Sequence, residues 1–331
     1  MNGEVLHCEL ALPTDFRVHD ALEFHRRDRE QLAERVSLAG GGEQGGEHGR
    51  LEKAFVRDGL AVLLAAELAP GELRAEFVLE GGTLPAAAAA ALSGEQAERL
   101  LRQMFGLDQP VAAFELRHRD HPQLGALIRR NHGLRVVQVS SPFEALSWAI
   151  IGQQISLVAA IALRRRFIQA FGPEHGCGLR CYPEAATVAR AEVAELRSLG
   201  CSQTKAGALL GMARAVVSGE LPLRQWQEQL AGAGEAEGQR LVGEIRAALL
   251  AMRGIGPWTF NYTLLRGFGW LDGGLEGDVA VRRGLQRLLG LEKAPGERET
   301  REWLVPFQPW RALVAAHLWT ISGPQNGPLI P

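Results

Sequence analysis

The sequence predicts a mainly α protein, with a smaller α+β module ahead of a long helical region. Three observations predict it. From Phe114 onward almost every segment repeats its apolar residues with a period of 3.6. Before that point, residues 5–12, 53–68 and 72–79 carry short runs of β-type residues, some alternating. The chain is also 331 residues long and 46% hydrophobic, enough for two domains and a full core without disulfide or metal staples. The division expected is 1–113 for the α+β module and 114–331 for the helical domain.

In chain order, residues 5–12 read as a strand and 21–36 (ALEFHRRDREQLAERV) as a helix. Residues 40–49 are glycine-rich and lack periodicity, so a loop is expected there. Residues 93–105 are predicted to be a helix opened by Ser93 as N-cap. Farther on, Ser141-Pro142-Phe143-Glu144 caps a helix expected to run through Gln153, Gln154 and Ser156, with a long helix following to Phe171. Residues 184–189, 193–199, 204–218 and 223–230 have helical spacing, as do 279–289 and 310–320. Residues 322–331 are irregular.

The region that organises the rest is 241–289. Leu241, Ile245, Ala248, Leu249 and Met252 lead into Arg253-Gly254-Ile255-Gly256, and Pro257 opens a second apolar helix through Trp258, Tyr262 and Leu265. Gly254 and Gly256 can take positive φ without a Cβ penalty, and Pro257 suits a first helical turn. The pattern predicts two helices joined by a tight turn, with amide N–H groups at the tip able to hold a phosphate without a lysine. Asp278 follows in Gly277-Asp278-Val279-Ala280-Val281, where it is predicted to N-cap the next helix.

This hairpin with its spaced aspartate resembles the helix–hairpin–helix superfamily of DNA glycosylases, whose signature is LxGIGxxTA, a linker, then an aspartate before a helix. PFEALSWAIIGQQIS, LGCSQTKAGALLGMARAVVSGELPL and FQPWRALVAAHLW resemble successive blocks of its alkylation-repair branch, DNA-3-methyladenine glycosylase II. The resemblance is specific from about residue 95. It implies a helix–hairpin–helix glycosylase domain behind a sheet-containing module, and a partner that is duplex DNA containing alkylated bases. It also implies a monovalent cation at the hairpin carbonyls, with no other cofactor. Two readings compete with it: a non-catalytic DNA clamp, and a glycosylase for another lesion class.

Asp278 is the expected catalytic residue, since an ionised carboxylate beside C1′ can stabilise oxocarbenium charge and orient water. Backbone N–H groups at the helix start are expected to keep it ionised. No second acid recommends itself, which suits bases that are already cationic, such as 3-methyladenine and 7-methylguanine. Trp258, Tyr262 and Trp319 match base-pocket positions of the family, and aromatic faces attract a cationic purine. Arg253, Gly254, Ile255, Gly256 and Thr259 are candidates for the DNA backbone, and Gln154 for the wedge that fills the stack. Bifunctional relatives carry a lysine where this chain has Trp258, so no lyase activity is expected. The three lysines, Lys53, Lys205 and Lys293, all lie outside the 241–289 region.

Charge and cysteine content narrow the rest. A net charge of −2 excludes adhesion to nucleic acid by bulk charge, so few phosphate contacts and a shallow salt slope are expected. Cys8, Cys177, Cys181 and Cys201 match neither a zinc nor an iron–sulfur spacing, and reduced structural thiols are expected. MNGEVLHCELALP lacks the basic and apolar regions of a signal peptide, and the apolar runs 60–64 and 85–92 are too short to span a bilayer. A cytoplasmic monomer, nucleoid-associated in a prokaryote, is the expectation.

Overall fold

The computed structural model describes residues 4–39, 48–80 and 92–323. Most of the predicted 40–49 loop, all but Leu92 of the 85–92 run and nearly all of the 322–331 tail therefore lie outside the described residues. Five strands form one antiparallel sheet: β1 (Glu4–Ala11), β2 (Glu34–Ala39), β3 (His48–Arg57), β4 (Leu60–Ala69) and β5 (Glu72–Glu80), in the order β1-β5-β4-β3-β2. Asp58 and Gly59, at φ +51° and +79°, make the two-residue loop between β3 and β4 that matches the twist of its strands.

Helix α1 (Val18–His25) packs on β2 and β3. The helical region then runs α2 (Gly94–Met104), α3 (Val111–His118), α4 (Gly125–Arg130), α5 (Pro142–Gly152), α6 (Leu157–Phe171), α7 (Ala185–Ala189) and α8 (Val193–Ser198). It continues with α9 (Gln203–Ser218), α10 (Leu223–Gly232), α11 (Glu235–Ala251), α12 (Pro257–Phe268), α13 (Val279–Leu289), α14 (Glu297–Leu304) and α15 (Arg311–Trp319). Among the described residues no helix is long and apolar enough to cross a membrane.

Two elements depart from the sequence reading. The helix expected over 21–36 stops at His25, and its last three residues open β2, paired with β3 through Glu34↔Lys53 and Val36↔Leu51. Strand pairing buries Val36 and brings Glu34 against Lys53, and that long-range gain overrides local helix propensity. The helix expected through Ser156 ends at Gly152; Gln154 sits at φ +57°, and Ser156 N-caps a new helix through Ala159 N–H. Helices α3, α4 and α14 lie outside the segments that the sequence pattern marked as helical.

The expected boundary at 113/114 falls inside α3, and the core runs across it. Leu51, Phe55 and Phe77 of the sheet share one cluster with Leu146, Ile150 and Phe167 of the helices. The junction also carries buried charge. Lys53 Nζ lies 2.5 Å from Glu34 Oε1 and 2.9 Å from Glu144 Oε1, while Arg164 lies 3.1 Å from Glu144 and 3.4 Å from Glu34. All four side chains are essentially unexposed. Burial works against both carboxylates, yet Lys53 and Arg164 hold Glu34 well below the usual carboxylate range and Glu144 below it. Two negative and two positive groups thus tie sheet to α5 and α6.

The second core cluster gathers Phe114, Leu127, Tyr262, Leu265, Val281, Leu285 and Trp319. Helix α5 lies between the two clusters, buried from Pro142 to Ile151, and packs along α12.

The candidate active site

The predicted hairpin is α11, a turn at 252–256, and α12. Only one of its two glycines needs to be glycine. Gly254 has φ +90°, and a Cβ there would come within 3.0 Å of the Ala208 Cβ on α9. Gly256, the N-cap of α12, is extended at φ −106° and ψ 177°, so the expectation of positive φ fails for it. A Cβ on Gly256 would meet no heavy atom within 4 Å, which leaves the tip open to another molecule's backbone.

The turn uses more of its own groups than the sequence suggested. The Ile255 N–H donates to Met252 O at 3.2 Å, so that amide is already committed within the turn. Thr259 is 2% exposed and its hydroxyl accepts from Gln153 Nε2 at 2.9 Å, which removes it from the surface set. Gln153 also donates to Gly254 O at 2.8 Å, so the break after α5 is pinned to the hairpin by one side chain. Arg253 is exposed. Gln154 is exposed at the tip of that break, next to Ile155 (39% exposed) and near Val158 (79% exposed).

Asp278 N-caps α13, with Oδ1 accepting from Ala280 N at 2.8 Å and Val281 N at 2.9 Å. Two indoles complete its shell: Trp258 Nε1 donates to Oδ2 at 2.9 Å and Trp319 Nε1 to Oδ1 at 3.3 Å. The carboxylate is 1% exposed. Burial raises its pKa above the ordinary aspartate value, and the four N–H bonds only partly oppose that shift. The helix N–H groups favour the ionised form, as expected of an N-cap, while desolvation, the larger effect, works against it.

Trp258, Tyr262 and Trp319 all belong to this assembly, at different distances from the carboxylate. Trp258 and Trp319 touch it. Tyr262, one helical turn after Trp258, stacks on that indole at 5.3 Å and 29°, and its hydroxyl accepts from Trp148 Nε1 at 2.9 Å. Trp148 was invisible in the sequence because an aromatic inside the apolar α5 reads as core. Arg266 was missed for a related reason. Its guanidinium lies 5.1 Å from the Trp319 ring and 4.5 Å from Phe24, donates to Val137 O at 2.6 Å, and is pulled down to about 10 by burial.

The neighbouring titratable groups are otherwise engaged. Glu276 accepts from Arg301 Nε at 2.7 Å. His317 is fully buried near Phe114, and burial pushes it down to about 3, leaving a neutral packing residue. Lys205 donates to Ile151 O at 2.8 Å. Among the described residues no cluster of metal-binding side chains is present.

An open glycine-tipped hairpin, set beside a buried aspartate held between two indoles, defines a helix–hairpin–helix arrangement. Residues 147–309 match the family described as HhH-GPD superfamily base excision DNA repair protein. The match takes in just under half of the chain, and that part is similar to the superfamily. It is 29% identical over 230 residues to the DNA-3-methyladenine glycosylase of Bacillus subtilis, covering 69% of this chain and 72% of that one. It is 30% identical over 209 residues to DNA-3-methyladenine glycosylase 2 of Escherichia coli, covering 60% and 64%. The 3-methyladenine DNA glycosylase structure from Archaeoglobus fulgidus matches with a TM-score of 0.70 at 24% identity, covering 95% and 98%. The apo 8-oxoguanine glycosylase/lyase of Clostridium acetobutylicum matches at 0.64 and 12%, covering 96% and 97%. Structures with different named substrates share the fold, so the fold does not select the chemistry.

Proposed function

We propose that the protein is a monofunctional DNA glycosylase that hydrolyses the N-glycosidic bond of alkylated purines of the 3-methyladenine and 7-methylguanine type in duplex DNA. The observation that carries this reading is the Asp278 carboxylate, gripped by four N–H donors between two indoles and set just beyond the hairpin. The sequence relatives named for 3-methyladenine support it.

The hairpin tip takes the phosphate backbone through the Gly254 and Gly256 amides and Arg253, positioning the strand without reading its sequence. A monovalent cation would be held by hairpin carbonyls; Met252 O and Gly254 O each accept one N–H and keep a second lone pair. The flipped base enters the aromatic assembly, and Gln154 with its exposed apolar neighbours fills the gap in the stack. Asp278 then stabilises the oxocarbenium charge at C1′ and orients the attacking water. The C1′–N bond breaks with its electrons leaving on an already cationic base, so no protein acid is needed. With Trp258 in place of a lysine, no Schiff base forms and the sugar backbone stays intact. The chain acts in this reading as a monomer.

Incubation with methylated duplex DNA should release free 3-methyladenine and 7-methylguanine, resolved by chromatography, with no borohydride-trapped adduct. Absence of both bases, or a trapped adduct, would overturn the proposal.

Two further outcomes are expected. The ionised form of Asp278 is the active one, so release falls as pH falls, and because burial raises the pKa the fall begins above the ordinary aspartate value of about 3.9. A rate that stays flat until that value contradicts this. Gly256→Ala should fold normally yet bind DNA about tenfold more weakly, roughly the loss of one charged hydrogen bond. Gly254→Ala, strained at φ +90°, should instead lose about 1–2 kcal/mol of stability. Urea melts and DNA titrations separate the two; matching effects would sink the assignment of Gly256 to the strand contact.

A further inference from the structure

Arg27 is 6% exposed, and none of its Nε, NH1 and NH2 atoms has a hydrogen-bond partner among the described residues. The neighbouring Asp28 does not neutralise it, being paired with Arg165 at 3.0 Å. Its guanidinium lies instead over two rings, Phe24 at 4.5 Å and Trp148 at 4.9 Å. A buried guanidinium with five idle donors is costly to folding, and such a group calls for an acceptor supplied from outside.

Its place says which acceptor. Phe24 is flanked by two guanidiniums, Arg27 and Arg266, each 4.5 Å from the ring centre. From this pair two chains of contacts lead back to the carboxylate. One passes from Arg27 through Trp148, Tyr262 and Trp258 to Asp278, the other from Arg266 through Trp319 to Asp278. Arg266 spends a nitrogen on Val137 O, whereas Arg27 spends none.

From this arrangement, and resting on the glycosylase reading above, we infer that Arg27 is a specificity-determining residue that donates to the C6 oxygen of a flipped guanine-type lesion. An arginine offers donors only. The oxygen at C6 of 7-methylguanine accepts from it, while the C6 amino group of 3-methyladenine presents a donor and is disfavoured. Sequence could not show this, because Arg27 lies within a run of charged residues (HRRDRE) that reads as a solvated face.

The test uses the full-length protein on one duplex carrying both lesions, made with a methylating agent, so that DNA affinity and the folded fraction cancel in the ratio of bases released. Arg27→Met should lower the 7-methylguanine to 3-methyladenine ratio about 10–100-fold, the range of a charged hydrogen bond, with 3-methyladenine release unchanged or faster. Arg27→Lys should fall between. Removing an unpartnered buried charge should also raise the thermal midpoint. An unchanged ratio, or both rates falling together with a lowered midpoint, would overturn the inference and show a packing role. If Arg27→Met does not fold, the Arg27→Lys ratio decides alone. A parent protein that releases neither base refutes the glycosylase reading itself, which a ratio indifferent to Arg27 would not.

Discussion

Asp278→Asn is expected to lower the rate of base release by at least about 10²–10³-fold while leaving DNA binding intact. The substitution preserves shape and keeps the Oδ1 contacts to Ala280, Val281 and Trp319. It removes the negative charge that would meet the oxocarbenium ion in the proposed reaction, and it turns an amide NH2 toward the Trp258 N–H that now donates to Oδ2. Stability should change little. In the folded protein the carboxyl has a raised pKa, so its charge opposes folding at neutral pH; Asn removes that opposition and adds one donor–donor conflict. Single-turnover release from methylated DNA, a binding titration and a thermal melt together check this. Parent-like release by the variant excludes the mechanism. Loss of binding along with release would show that the aspartate acts by capping α13 and not on the reaction itself.

The other large effect is far from the chemistry. Lys53→Met should destabilise the protein by about 3–5 kcal/mol, because it leaves Glu34 and Glu144 facing each other with Arg164 alone between them. Lys53→Met combined with Glu34→Gln restores a balanced Glu144–Arg164 pair and should recover much of the loss, a coupling that a double-mutant cycle reads directly. The pH dependence has a definite sign. Glu34 and Glu144 have lowered folded pKa values, so their contribution is present in full above the ordinary glutamate range and is lost as pH falls from there through the lowered folded values. Urea midpoints for the four proteins decide the matter, and equal midpoints for parent and Lys53→Met would show the network to be dispensable. Because Glu144 sits on α5, whose end is pinned to the hairpin by Gln153, loosening this junction should also reach the site.

The hairpin and Asp278 were legible because their signals are local. A glycine at positive φ, a proline at a first turn and an aspartate at a helix start each follow from backbone sterics within a few residues. The same holds for the Ser93 and Ser141 caps, both observed. What went astray was also systematic. Residues 21–36 have a helical pattern, yet the helix stops at His25 and the last three residues enter a strand, because β3 offered a better burial for Val36 and a partner for Glu34. Thr259 looked like a surface hydroxyl, and Gln153, 106 residues away, claimed it.

By itself the sequence determined the class of fold, the glycine turn between two helices and the aspartate that caps the next one, since each is written in spacings of a few residues. Tertiary structure alone decided how that acid is charged and what surrounds it. Phe24 with Arg27, Trp148 and Arg266 come from three separate parts of the chain, and only folding brings their rings and guanidiniums together. Burial raises the Asp278 pKa, a property no neighbour in sequence can confer, because desolvation depends on everything packed around the group.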